Sequence, residues 1–127
     1  MPIYWPIGGA SGAGQDCVVG FIINAGAGGA GTNVGPMLIS PAAGAVSKCV
    51  VVVKTSDPSI NFVFLINKNG LPVFSGLPTI LAGAAPGSSF TFSGLTVEPL
   101  LIAQGDVFSM DIATGSAIWA LTAQLES

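Results

Sequence analysis

The chain has 127 residues and half of them are apolar, yet only 7 % are charged, against roughly 25 % in an ordinary soluble domain. It contains no His and, with Lys48, Lys54 and Lys68 as its three basic residues, no Arg, which excludes a His-based triad, a His-rich zinc site and an arginine clamp on phosphate. A net charge of −3 argues against nucleic acid or an anionic membrane surface as the partner.

The length predicts a single folded domain, and the chain divides into an N-terminal arm, 1–16, and a β domain, 17–127. In the arm, Tyr4-Trp5-Pro6-Ile7 is a short apolar anchor. Gly8, Gly9, Gly12 and Gly14 then give the composition of a flexible tether. Aromatic residues ahead of such a tether predict docking outside the chain's own domain, with Tyr4, Trp5 and Ile7 as the partner-binding residues. The first residues hold neither a basic n-region nor an apolar h-region, so no secretory signal is expected. Synthesis and assembly in a cytoplasm follow, with Cys17 and Cys49 as reduced, buried thiols rather than a bridge.

From position 17 onward the chain reads as strands and turns. Residues 17–23 form a strand ended by the Gly/Ala stretch 25–31, and 36–41 is a short segment hemmed by Pro36 and Pro41. The strongest β signal is 46–55, with four successive valines, Val50 to Val53. Another strand, 61–67, is closed by Asn67-Lys68-Asn69-Gly70, whose Asn-Gly pair suits a tight hairpin. Phe90 and Phe92 alternate with polar residues. In 107–112, Phe108, Met110 and Ile112 share one face; in 118–125, Trp119, Leu121, Ala123 and Leu125 share another. Thr114-Gly115-Ser116 is expected to join these last two strands as a hairpin. Seven to nine short strands with turns at about every 8–12 residues predict an all-β, jelly-roll-like antiparallel β-sandwich with an extended N-terminal arm.

Residues 17–23, 50–53 and 62–66 are apolar on both parities of the strand period. A mean hydropathy of +0.76 raises the question of a membrane. A spanning helix needs about 20 consecutive apolar residues, and the longest runs here stop at Asn24 and Lys54. No membrane span is predicted. With little charge to wet the remaining surface, a neighbouring subunit is the expected cover, and the chain should be an obligate oligomer.

Chemistry-bearing motifs are few. Gly26-Ala27-Gly28-Gly29-Ala30-Gly31 matches G-x-G-x-x-G, but Thr32-Asn33-Val34-Gly35-Pro36 cannot start the helix a dinucleotide needs. A pliant loop is expected. Cys17 and Cys49 lack a His base, Gly105-Asp106 reads as a turn and Asp111 points out of an alternating strand, so both acids read as solvated or edge charges, and the acids are too scattered for calcium. Trp119 reads as core. No enzyme activity, metal or cofactor is predicted.

The stretch Ala103-Gln104-Gly105-Asp106-Val107-Phe108-Ser109-Met110-Asp111-Ile112, with Gly115 and Trp119-Ala120-Leu121, resembles the closing hairpin of a group of β-sandwich virion proteins. The run from Phe62 to Gly70 and Phe90-Thr91-Phe92 before Gly105-Asp106 are similar to theirs as well. These are the capsid decoration (cement) proteins and receptor-binding tips of tailed bacteriophages, commonly jelly-roll homotrimers. The resemblance implies a homotrimer on the virion surface that binds the major capsid protein between capsomers. It carries no catalytic residue. A tail tip or tail adaptor that binds a glycan or host surface is the alternative, and a cellular β-sandwich binding module a further one.

Overall fold

Alternating apolar residues become extended strands throughout the computed structural model, which describes residues 3–4, 19–32, 34, 38–40 and 43–126. Among the described residues there are twelve strands and no helix. They are β1 (Ile3–Tyr4), β2 (Val19–Ile23), β3 (Leu38–Ile39), β4 (Gly44–Val46), β5 (Lys48–Thr55) and β6 (Phe62–Lys68). The second half contributes β7 (Leu71–Pro72), β8 (Thr79–Ile80), β9 (Ser89–Phe92), β10 (Leu100–Ile102), β11 (Val107–Thr114) and β12 (Ala120–Glu126).

Every pairing is antiparallel. One sheet runs β1-β2-β12-β5-β9; the other runs β3-β11-β6-β7, with β8 also on β6. A separate pair, β4 with β10, adds Val46, Leu100 and Ile102 to the buried core. The protein is an all-β, antiparallel β-sandwich. Phe21, Cys49, Val51, Val53, Leu121 and Leu125 of the first sheet are buried, as are Phe62, Phe64, Ile66, Phe108, Met110 and Ile112 of the second. Aromatic rings join the layers: Phe64 meets Phe92 edge-on at 5.8 Å, and Phe62 lies 5.5 Å from Trp119. Both spacings lie in the range where ring pairs attract beyond their burial.

The predicted Asn-Gly hairpin is present. Asn69 and Gly70 take positive φ of 52° and 82°, and Lys68 pairs with Leu71 across the turn. Two consecutive left-handed residues match the right-handed twist of the flanking strands.

Two local expectations need correction. The 46–55 strand begins at Lys48, because Ser47 donates its N–H to the Glu126 carbonyl while Gly44–Val46 pairs with β10 instead. The connection after Thr114 is also not a hairpin. β11 pairs with β6 and β3, whereas β12 pairs with β2 and β5, so the chain crosses from one sheet to the other. Each strand buries one apolar face, and the crossing sets those faces towards the shared core instead of side by side.

Ile3 and Tyr4 of the predicted arm form β1, opposite Phe21 and Gly20 at the edge of the first sheet. Trp5, Ile7 and Cys17 lie outside the described residues.

Candidate interaction surfaces

At one end of the sandwich the loops 24–31, 55–61, 81–88 and 114–119 are tied into a single unit. The Asp57 carboxylate accepts the Ser59 and Ile60 N–H groups at 2.8 and 3.2 Å, the Ser59 hydroxyl at 3.0 Å and the Ser116 hydroxyl at 2.7 Å. The Ser116 hydroxyl, then the Ser59 N–H, hold the Asp57 carboxyl below the ordinary carboxylate range. Its backbone carbonyl accepts the Gly83 N–H, and Trp119 donates its indole N–H to the Ile60 carbonyl at 2.8 Å. Gly28 and Gly115 cross in backbone contact; a Cβ on Gly115 would collide with the Gly28 carbonyl oxygen. The 25–31 stretch is thus pinned rather than pliant: Gly26 donates to Ala117, and Gly31 exchanges hydrogen bonds with Ile112.

The opposite end holds the β6–β7 turn. Lys68 Nζ donates to the Leu101 carbonyl at 2.9 Å and lies 3.8 Å from Asp106. Asp106 caps its own turn, accepting the Ala103 N–H at 2.8 Å and the Asn69 amide at 2.9 Å. These two bonds, with the Ala103 N–H foremost, lower its pKa. Asp106 thus sits in the turn that Gly105-Asp106 predicts and holds it together. Asp111 likewise accepts a hydrogen bond, from the Asn67 amide at 3.0 Å. Three apolar side chains stand out to solvent around this turn: Ile39 (65 % exposed), Leu71 (71 %) and Leu101 (68 %). Leu71 pairs with Lys68, the Leu101 carbonyl accepts its ammonium, and Ile39 pairs with Val107 next to Asp106.

The outward face of the first sheet is also short of charge. Ile22, Val50, Val52, Thr91, Thr122 and Gln124 occupy it, with Val52 43 % exposed. Lys48 sits 3.8 Å from Glu126 at one end of the face, and Lys54 marks the other. A shallow concavity of about 340 Å³ opens on this face beside Ile22, Val52 and Thr122. Val63 and Leu65 of the second sheet are half-buried on the parity opposite the core. Among the described residues the inner parity of these strands is buried, while on the outer parity Ile22, Val50, Val63 and Leu65 are half-buried and Val52 is exposed.

Burial pushes the Cys49 thiol up to about 12, far from a reactive thiolate. Among the described residues no three acids, cysteines or histidines lie together as a metal site. No buried side-chain nitrogen or oxygen there lacks a hydrogen-bond partner. Among the same residues no helix is long and apolar enough to cross a membrane. Of the predicted docking residues, the structure places Tyr4, by its backbone, opposite Gly20. The Asp57 junction was missed from sequence, although Asp57-Pro58-Ser59 carries the signal of an Asx turn. Compared with protein-family models, with curated proteins and with solved structures, the chain gives no significant match.

Proposed function

We propose that the chain is a structural subunit of a virion, a capsid decoration (cement) protein that works by binding and catalyses nothing. It forms a homotrimer and seats on the major capsid protein between capsomers, stabilising the head of a tailed bacteriophage. Its place is the outer capsid surface, reached by assembly in the host cytoplasm. The observation that carries this reading is apolar surface left exposed on a well-tied sandwich: Ile39, Leu71 and Leu101 at one end, beside the Lys68–Asp106 ion pair, and Val52 on one face. Exposed apolar surface of this kind marks a site of association.

The strand order adds support. With β2, β3, β5, β6, β8, β9, β11 and β12 numbered one to eight, the first sheet reads one-eight-three-six. The second reads two-seven-four-five. We read this order as a jelly roll, an architecture shared by viral capsid and lectin domains. Tyr4, Trp5 and Ile7 of the arm serve as the anchor to the neighbouring capsid protein.

Copy number on purified particles tests the proposal. A cement protein is present in hundreds of copies spread over the head. A few copies confined to the tail would overturn it in favour of the receptor-binding tip, and none in the particle would overturn both.

A further inference from the structure

The β6–β7 turn carries a chemically reactive pair of residues. Of the five asparagines in the chain, Asn24, Asn33, Asn61, Asn67 and Asn69, only Asn69 is followed by Gly. A glycine has no side chain to keep its N–H away from the preceding asparagine's Cγ. The Gly70 nitrogen can therefore attack Asn69 Cγ, forming an N–C bond and expelling the side-chain nitrogen as ammonia. Water then opens the succinimide ring to aspartate or isoaspartate. Both residues are exposed, and a Cβ added at Gly70 would meet nothing within 4 Å. Neither burial nor crowding protects the pair.

The asparagine side chain is instead held at both of its polar atoms. Asn69 Nδ2 donates to Asp106 Oδ1 at 2.9 Å, and Asn69 Oδ1 accepts the Val107 N–H at 2.9 Å. The Asn69 backbone N–H also donates to the Val107 carbonyl, at 2.7 Å. Asp106 is itself fixed from behind. Its Oδ2 accepts the Ala103 N–H at 2.8 Å and lies 3.8 Å from Lys68 Nζ, and Ser40 bonds through its backbone to both Gly105 and Asp106. Ring closure expels Nδ2 and re-aims Oδ1, so both side-chain bonds must be given up first. The one to Asp106 is charge-assisted, among the stronger kinds.

We propose that Asn69-Gly70 is a deamidation site and that the Asp106 carboxylate is the latch that keeps it shut in the folded protein. The reaction waits for local opening of the β6–β7 turn, and its product cannot close the latch again. With aspartate at 69, a second carboxylate stands where the donor to Asp106 Oδ1 stood, and like charges that close disfavour each other. Lys68 faces Oδ2 rather than this gap. Isoaspartate lengthens the backbone by a methylene between Lys68 and Leu71, the two residues paired across the turn. Modification thus makes a transient opening permanent, at the end of the sandwich that carries Leu71 and Leu101. None of this depends on the assembly proposed above.

The test follows ammonia loss at each asparagine by peptide mass mapping of the full chain, held at mildly alkaline pH. Three samples are compared: the folded wild type, the wild type unfolded in urea, and folded Asp106→Ala. Asp106→Glu, which moves the carboxylate off Asn69 by one methylene, takes the place of Asp106→Ala if that variant does not fold. Asn69 should react fastest in urea and slowest in the folded wild type. The latch variant should react faster than the folded wild type by on the order of tenfold, as losing a hydrogen bond to a charged group implies, with the other four asparagines unchanged. A folded wild type that reacts as fast as the unfolded chain overturns the proposal. So does a folded latch variant no faster than the wild type, or an unfolded chain that stays intact at Asn69.

Discussion

Asp57 and Ser116, 59 residues apart in sequence, meet at 2.7 Å, and their hydrogen bond ties the loop after β5 to the crossing between β11 and β12. The Asp57 carboxyl is lowered first by the Ser116 hydroxyl, and Asp106 first by the Ala103 N–H. A carboxyl lowered in the folded state adds stability that is fully present above its unfolded value, about 3.9, and is lost as pH falls through the folded value. Thermal stability should therefore be flat between about pH 8 and about pH 6, where no His titrates. It should fall in the acid range below about pH 4. Asp57→Asn and Asp106→Asn together should flatten that acid limb in a series of melting curves. A steep loss between neutrality and pH 6 would contradict the assignment.

The crossing of Gly28 over Gly115 leaves no room for a methyl group. Gly115→Ala drives a Cβ into the Gly28 carbonyl oxygen, a backbone atom that cannot rotate away. Overpacking of this kind costs about 1–3 kcal/mol. Gly29, one residue from Gly28, has open space where its Cβ would stand. Urea denaturation should show a clear loss for Gly115→Ala and little change for Gly29→Ala.

Cys49 should be inert in the folded protein. Its thiol is pushed up to about 12 by burial between β12 and β9. In a Cys17→Ser background, Ellman's reagent at about pH 8, near the ordinary thiol pKa, should find no reactive thiol until denaturant is added. Stoichiometric reaction of the native protein would show that the core opens on the time scale of the assay.

Attachment should depend on the arm. Burying an aromatic or aliphatic side chain returns roughly 1.5–3 kcal/mol, while ordering each residue of a tether costs on the order of 1–2 kcal/mol. Trp5 and Ile7 can offset that cost only from within a pocket. Trp5→Ala should weaken binding to undecorated shells in a sedimentation assay, and removal of residues 1–14 should weaken it further. Unchanged binding by the shortened chain would overturn the anchoring role proposed for the arm.

Much of the fold was legible because its signals are local. The alternation in 107–112 and 118–125, the valines of β5 and the Asn69-Gly70 turn each depend on neighbours within a few residues. The crossing after Thr114 was not legible. Thr114-Gly115-Ser116 has the same turn composition whether the next strand joins the same sheet or the opposite one, and the contacts that hold the crossing come from Gly28 and Asp57, far away in sequence. Two-residue strands such as β7 and β8 have no period of their own and exist because β6 offers them an edge. Of the candidate surfaces, the outward face of the first sheet was visible as apolar residues on both parities, whereas Ile39, Leu71 and Leu101 carried no such signal. Which parity stays open depends on the side from which the other sheet packs.

Sedimentation equilibrium of the intact chain at micromolar concentration tests the central claim most directly. A structural subunit that hides its apolar faces against copies of itself should sediment as one species of about three times the chain mass, with little dependence on moderate salt because so few charges are available to be screened. A folded monomer across the accessible concentration range would contradict it.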